Sequence, residues 1–135
     1  MPISKAIILC AGKGTRLLPL TADRPKCLIE LSGKSLLEWQ LDALQASGVE
    51  EIVVVTGFRD DMVDAVAARR SGVRTLFNPF YHVADNLGSV WVARAQFDEV
   101  ASRGGYRGRR AAFDAAFASL MAGDAEDAVT RFSGL

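Results

Sequence analysis

The chain has 135 residues, half of them hydrophobic, and its formal net charge at pH 7 is zero. This length suits a single domain with a modest core. The balanced charge gives no support to a nucleic-acid or anionic-membrane binder, and no apolar run is long enough for a signal peptide or a membrane span. We therefore expect a cytoplasmic protein that binds neither nucleic acid nor membrane.

Apolar runs alternate with helical periods along residues 5–97. Residues 5–10 form an apolar run that ends in glycine-rich sequence, which predicts a strand buried in a parallel sheet. Residues 35–47 predict a helix, with Ser35 as N-cap, Glu38 three residues on and Gly48 as stop signal. The next predicted elements are a strand at 52–55, closed by Thr56-Gly57, a helix at 60–70, a strand at 73–77 and a helix at 89–97. This alternation predicts an α/β fold, a Rossmann-like three-layer domain with a mainly parallel sheet.

The composition changes after about Val100. Residues 102–110 are rich in glycine and arginine without a hydrophobic period, and residues 111–132 are rich in alanine with apolar residues at helical spacing. This part predicts an Ala-rich helical tail and contains no strand-like run.

The two cysteines, Cys10 and Cys27, form no Cys-x-x-Cys pair, and His82 is the only histidine in the sequence. These residues do not have the spacing of a zinc site. We therefore interpret both cysteines as reduced, largely structural thiols.

A glycine loop follows the first predicted strand, at the sheet edge where α/β domains bind ligands. Its glycines let backbone N–H groups approach phosphate oxygens, and Lys13 and Arg16 add positive charge. A Walker loop is excluded because Leu28 occupies the position of its first glycine. The dinucleotide fingerprint is excluded because Leu17 replaces its third glycine. The loop therefore suits a triphosphate, but it belongs to neither of these two types of phosphate-binding loop.

The remaining pattern is Leu9-x-Ala11-Gly12-x-Gly14-Thr15-Arg16-Leu17-x-Pro19-Leu20-Thr21, followed by Arg24-Pro25-Lys26. It resembles the signature of the sugar-phosphate nucleotidyltransferase superfamily, the MobA-like nucleoside-triphosphate transferases. The resemblance implies that Leu9, Ala11 and Gly12 lie against the base and ribose. It also implies that Gly14, Thr15 and Arg16 hold the phosphates, assisted by Lys13. Lys26 is implied to contact the reacting α-phosphate or the incoming phosphate, so Arg16 and Lys26 are the implied catalytic residues.

A second segment runs from Asn78-Pro79-Phe80-Tyr81 to Asp85-Asn86-Leu87-Gly88-Ser89 and Trp91. It resembles the phosphocholine cytidylyltransferase branch, in which this segment recognises the pyrimidine base, and it implies Asn86 and Ser89 as base contacts. Taken alone, the same residues could be turn formers and a helix N-cap. Tyr81 and Trp91 could line a pocket for a choline headgroup, but packing is the interpretation we favour.

The resemblance covers about residues 3–98. It implies an enzyme that uses Mg²⁺ to transfer a nucleotidyl group, with cytidylyl favoured, from a nucleoside triphosphate to a small phosphorylated acceptor. Phosphocholine and sugar phosphates are both open as acceptors, and pyrophosphate is released. We predict that residues 1–98 form a partial nucleotide-binding domain, the N-terminal half of the nucleotidyltransferase fold. Residues 99–135 are then an atypical helical tail.

The pattern departs from the family after residue 98. Family members continue with a strand that ends in Gly-Asp, whose aspartate binds Mg²⁺. Here Gly123-Asp124 follows a helical run instead, so no metal ligand is predicted. The alternative function is therefore a nucleotide-binding module with little or no catalysis. The sheet would lack a strand on one side, which leads to the hypothesis that the helical tail or a second copy of the chain, in a homo-oligomer, covers it.

Overall fold

The computed structural model describes residues 4–83 and 86–96. The chain divides after Ala93 into two compact units, and the fold below is that of the first unit. Its elements are β1 (Lys5–Leu9), β2 (Glu30–Leu31), β3 (Lys34–Ser35), α1 (Leu36–Ala46), β4 (Glu51–Thr56), α2 (Asp60–Ala67), β5 (Val73–Phe77) and α3 (Asn86–Val92). The predicted tail at 99–135, with Gly123-Asp124, lies outside the described residues, and the boundary at residue 98 stays a prediction.

Three parallel strands form the main sheet, in the order β1-β4-β5. Leu9 is aligned with Val55 across the first strand pair, and Thr56 with Phe77 across the second. The three predicted strands are confirmed within a residue of their bounds. Of the three, only β4 is buried along almost its whole length. The prediction that β1 is a buried strand is wrong, because β1 is half-buried and its last residue is exposed, and β5 includes the polar residues Arg74 and Thr75.

The central strand β4 explains the three layers of the domain. Its residues 52–55 are fully buried. Ile52 and Val54 belong to a cluster with residues of α1 and α2, whereas Val55 packs in a second cluster with Ala11 and Ala93. Successive side chains of a strand point to opposite faces, so helices cover both sides of the sheet. The predicted α/β three-layer fold is thereby confirmed.

The N-terminus of α1 carries a complete capping box. The Ser35 hydroxyl accepts a hydrogen bond from the Glu38 backbone N–H at 3.2 Å, and the Glu38 carboxylate accepts one from the Ser35 backbone N–H at 2.9 Å. The bond from the Ser35 backbone N–H, with a further bond from the Ser35 hydroxyl at 2.8 Å, lowers the pKa of the Glu38 carboxyl. Beyond the helix, Gly48 has φ +85°. Both predicted ends of this helix are therefore confirmed.

Replacing Ser35 by alanine is expected to lower the free energy of unfolding by about 1 kcal/mol, because a cap partner of the helix N-terminus is lost. Urea titration followed by circular dichroism measures this change. Ser71→Ala is the matched control, since Ser71 is exposed and uses its backbone carbonyl to accept the Gln45 amide at 2.8 Å. Equal midpoints for the two variants would contradict the role of the capping box.

The helix bounds and one hairpin differ from the prediction. α2 ends three residues before the predicted Arg70, because the Arg70 N–H bonds back to the Ala67 carbonyl in a tight turn. α3 begins at Asn86 and not at Ser89. The antiparallel pair β2–β3 was not predicted, since each of its strands has two residues and leaves almost no periodic signal. Within the part of the chain that the structure describes, no helix has the length and apolarity to cross a membrane.

Candidate functional site

The three parallel strands end at one edge of the sheet, and hydrogen bonds hold their loops together there. The Cys10 N–H donates to the Val55 carbonyl at 2.8 Å, and the Phe58 N–H donates to the Ala11 carbonyl at 3.0 Å. On the other side of β4, the Asn78 N–H donates to the Thr56 carbonyl at 2.8 Å. The strand pairing therefore extends into the loops and fixes their starting points.

Gly57 is the contact point between two of these loops. A Cβ atom at this position would lie 2.6 Å from the Ala11 carbonyl oxygen and 2.5 Å from the Tyr81 Cβ. Both distances are shorter than a van der Waals contact, so a glycine allows the loop after β1 and the turn after β5 to approach. The sequence marked Gly57 only as the end of a strand.

The glycine loop packs directly against the segment that carries Lys26. Gly14 has φ +66°, and its carbonyl accepts a hydrogen bond from the buried Thr21 hydroxyl at 2.8 Å. A Cβ atom at Gly14 would lie 3.0 Å from the Lys26 Cβ. The two parts of the motif, separated in sequence, are therefore in contact through a left-handed glycine.

Buried neighbours fix the backbone of Lys26. The residue begins a short 3-10 turn, Lys26–Leu28, between the buried side chains of Pro25 and Leu28. Upstream, the Arg59 guanidinium donates to the Asp23 carbonyl at 3.0 Å and so ties this segment to the start of α2. The Lys26 side chain itself is exposed, which leaves its ammonium group available to a ligand.

Two cavities meet at this edge. The larger one, about 680 Å³, is lined by residues 12–17 with Lys26, Tyr81, His82 and Asn86. The smaller one, about 260 Å³, shares Gly12, Gly14, Lys26 and Asn86 with the larger and adds Leu9, Cys10, Cys27, Leu36 and Gln40. The shared residues place Lys26 where the two cavities join.

Positive charge without a counter-charge faces the larger cavity. Other cations pair with carboxylates, for example Lys34 with Asp42 at 2.7 Å. Among the described residues, Lys13, Arg16 and Lys26 have no such carboxylate partner, and no described Asp or Glu lines either cavity. Like charges that converge in this way favour a polyanionic ligand.

The Phe58 ring contacts the Lys13 side chain. The Lys13 ammonium lies 6.0 Å from the ring centroid, within the range of a weak cation–π contact. The Phe58 backbone is in turn bonded to Ala11. The loop after β4 therefore helps to hold Lys13 at the cavity.

The structure places most of the predicted site residues together. Leu9, Gly12, Lys13, Gly14, Thr15, Arg16, Lys26 and Asn86 line one or both cavities. Ala11 is buried and contributes its carbonyl to the Phe58 N–H. Ser89 is 1% exposed and lines neither cavity.

Ser89 is instead part of a buried polar pair. Its hydroxyl accepts a hydrogen bond from the Asn78 side-chain amide at 3.1 Å, and the Asn78 amide oxygen accepts one from the Phe80 N–H at 2.9 Å. Asn78 is fully buried. Because buried polar groups are costly when unpaired, these bonds fix the turn that leads to Tyr81.

The aromatic residues Phe80 and Tyr81 of the turn after β5 pack in two different places. Tyr81 lines the larger cavity, and its ring meets Phe77 edge-on at 6.3 Å and His82 at 5.4 Å. Trp91 packs edge-on against Phe80 at 6.3 Å. His82 lines the larger cavity and Gln40 the smaller one. Neither residue belongs to a motif or a periodic pattern, so no signal in the sequence marks them.

Within residues 4–83 and 86–96, no group of three or more His, Cys, Asp or Glu side chains is placed to hold a metal ion. The described residues of the cavities supply cations, hydroxyls, amides and thiols. They do not fit a magnesium ion held by protein carboxylates.

Comparisons with known proteins agree with this geometry. The MobA-like NTP transferase domain matches residues 6–125, which extends past the predicted end of the resemblance at residue 98. Choline-phosphate cytidylyltransferase of Streptococcus pneumoniae is 36% identical over 92 residues, which are 68% of this chain and 40% of that protein. N-acetylmuramate alpha-1-phosphate uridylyltransferase of Caulobacter vibrioides is 50% identical over 60 residues, 44% of this chain and 25% of that protein.

The fold is also found among solved structures. The structure of CTP:phosphocholine cytidylyltransferase from Streptococcus pneumoniae has a TM-score of 0.65 and 37% identity, with 68% of this chain and 40% of that chain covered. The chain thus spans less than half the length of these relatives.

Proposed function

Because the chain belongs to the MobA-like NTP transferase family, we propose that it binds a nucleoside triphosphate and transfers the nucleotidyl group to a small phosphorylated acceptor. The observation that carries this proposal is the cavity of about 680 Å³, into which Lys13, Arg16 and Lys26 bring positive charge without a carboxylate partner among the described residues. A triphosphate supplies the missing negative charge, and the glycine loop supplies backbone N–H donors.

CTP is the nucleotide we favour, with phosphocholine or a sugar phosphate as the acceptor. The relative from Streptococcus pneumoniae is named a choline-phosphate cytidylyltransferase. The relative from Caulobacter vibrioides is named a uridylyltransferase. Both bases are pyrimidines, whereas the relative from Drosophila melanogaster, 35% identical over 90 residues, is named a guanylyltransferase. The preference for CTP therefore rests on the cytidylyltransferase relative, which matches 68% of this chain.

The proposed contacts follow the cavity walls at every residue except the buried Ala11 and Ser89. Leu9 and Gly12, with Ala11 beside them in the loop, are assigned to the base and ribose. Gly14, Thr15 and Arg16 hold the phosphates with Lys13. Asn86, which lines both cavities, is the proposed base contact. We assign Ser89 an indirect role in base recognition. Its hydroxyl does not line a cavity but accepts a hydrogen bond from the Asn78 side-chain amide.

The proposed reaction is a single displacement at the α-phosphate. An oxygen of the acceptor phosphate forms the new bond to the α-phosphorus, the bond to the bridging oxygen of the β-phosphate breaks, and pyrophosphate leaves. Lys26, at the junction of the two cavities, is placed to offset the repulsion between the two phosphates. Arg16 holds the phosphate chain in line, so catalysis consists of positioning and charge stabilisation.

We propose that Mg²⁺ accompanies the nucleotide. Because the described cavity walls contain no carboxylate, the triphosphate oxygens themselves would be its main ligands on this side of the site. The ion supplies charge neutralisation when bound.

The same observation favours a second candidate function. A site with cations but no described carboxylate can hold nucleotide and still turn over little. A nucleotide-binding module with little or no catalysis is therefore the alternative.

Two measurements test these proposals. Titration calorimetry with CTP is expected to show saturable binding, stronger than that of ATP or GTP. Pyrophosphate release in the presence of CTP, Mg²⁺ and phosphocholine or glucose 1-phosphate identifies the transferase. Binding without release supports the module, and absence of binding by any of the nucleotides contradicts both functions.

A further inference from the structure

Two thiols from distant parts of the sequence meet beside the proposed phosphate site. Cys10 directly follows β1 and precedes the glycine loop, and Cys27 directly follows Lys26. Both thiols are free, and both residues line the smaller cavity. Cys27 also packs against the core cluster that contains Cys10. The fold therefore brings together two residues that the sequence separates by the whole glycine loop.

The nearness of the two side chains gives them different acidities. The neighbouring Cys27 thiol, together with burial, raises the pKa of the Cys10 thiol, which is 7% exposed. The neighbouring Cys10 thiol lowers the pKa of the half-buried Cys27 thiol. Cys27 therefore carries more thiolate at neutral pH than an ordinary cysteine, and thiolate is the reactive form.

We propose that Cys10 and Cys27 form an oxidant-sensitive dithiol, and that its disulfide impairs the proposed phosphate site. With a peroxide as oxidant, the Cys27 thiolate attacks one peroxide oxygen, the O–O bond breaks and hydroxide leaves. The Cys10 sulfur then attacks the Cys27 sulfenic acid and loses its proton as it does so. The S–S bond forms, the S–O bond of Cys27 breaks, and the proton and the displaced hydroxide leave as water. In sum, two thiols and one hydrogen peroxide give one disulfide and two waters, and the two electrons pass to the peroxide.

The disulfide acts on the site through Lys26. An S–S bond of about 2.0 Å is shorter than the contact distance of two unbonded sulfur atoms, so its formation draws the two residues together. The Cys10 backbone is tied to the central strand by its bond to Val55 at 2.8 Å, whereas Lys26–Leu28 is a short 3-10 turn outside the sheet. The displacement therefore falls mainly on this turn, which the packing of Pro25 and Leu28 holds in place in the reduced protein. A shift of about 1 Å at a reacting group can cost on the order of a hundredfold in rate.

This effect on nucleotide rests on the proposed function, whereas formation of the disulfide does not. The test treats the full chain with a slight excess of hydrogen peroxide, removes the peroxide with catalase and measures intact mass and CTP affinity. The expected result is a monomer that has lost two hydrogen atoms, with CTP affinity lower by about tenfold or more. Dithiothreitol is expected to restore both values.

Cys27→Ser and Cys10→Ala are the control variants, and each is expected to bind CTP equally with and without peroxide. Should Cys10→Ala fail to fold, since Cys10 belongs to the core, Cys27→Ser alone decides. Oxygen added to single thiols, cross-links between chains, or a disulfide with unchanged CTP affinity would each overturn the proposal. If the reduced protein binds no nucleotide, the proposed function fails together with the effect on binding, while the mass still establishes or excludes the disulfide.

Discussion

Replacing Lys26 by alanine is expected to weaken CTP binding by about 1.5–3 kcal/mol, on the order of ten- to a hundredfold, because a charge-assisted contact to phosphate is lost. Lys26 lies at the junction of the two cavities and has no carboxylate partner among the described residues. If the chain transfers nucleotidyl groups, the rate should fall by more than the affinity, since charge develops at the α-phosphate. Titration calorimetry and pyrophosphate release measure the two effects.

Lys34→Ala is the matched control for this substitution. Lys34 is also an exposed lysine, but its ammonium pairs with Asp42 at 2.7 Å and lines neither cavity. Surface ion pairs contribute about 0–1 kcal/mol to stability, so we expect a small change in stability and unchanged CTP affinity. Arg16→Ala should resemble Lys26→Ala. Unchanged affinity in both site variants would exclude the assigned phosphate contacts.

Replacing Gly57 by alanine is expected to lower the free energy of unfolding by about 1–3 kcal/mol, the range for an overpacked position. The new Cβ would lie 2.6 Å from the Ala11 carbonyl oxygen and 2.5 Å from the Tyr81 Cβ. The two loops must then separate, so CTP affinity is expected to fall as well. Urea titration and calorimetry measure the two changes.

Gly12→Ala separates the two effects of Gly57→Ala. A Cβ at Gly12 would have no neighbouring atom within 4 Å, so its stability should stay within about 1 kcal/mol of the wild-type value. The added methyl group would instead occupy space that the proposed ligand needs, and CTP affinity should fall. If Gly57→Ala is as stable as Gly12→Ala, the close approach of the two loops is not what requires glycine there.

The order of elements and the phosphate loop could be read from the sequence because both depend on local patterns. Apolar runs identified β1 and β4, and the shorter mixed run 73–77 identified β5. The pattern is strongest in β4, since a strand that is buried on both faces needs hydrophobic residues at successive positions. The Ser35 and Glu38 pair identified the start of α1, because both partners of the cap lie within one turn. The loop from Gly12 to Arg16 was recognised from the order and spacing of its residue types.

Only the tertiary structure decided which distant residues share the site. The nearness of Cys10 to Cys27 and the approach of Tyr81 to Gly57 each join segments that no sequence period relates. Their proximity follows from the order of the strands and from the loop conformations at the carboxyl edge of the sheet. A linear pattern specifies which face a residue presents, but it does not specify which residue from another segment will lie against it.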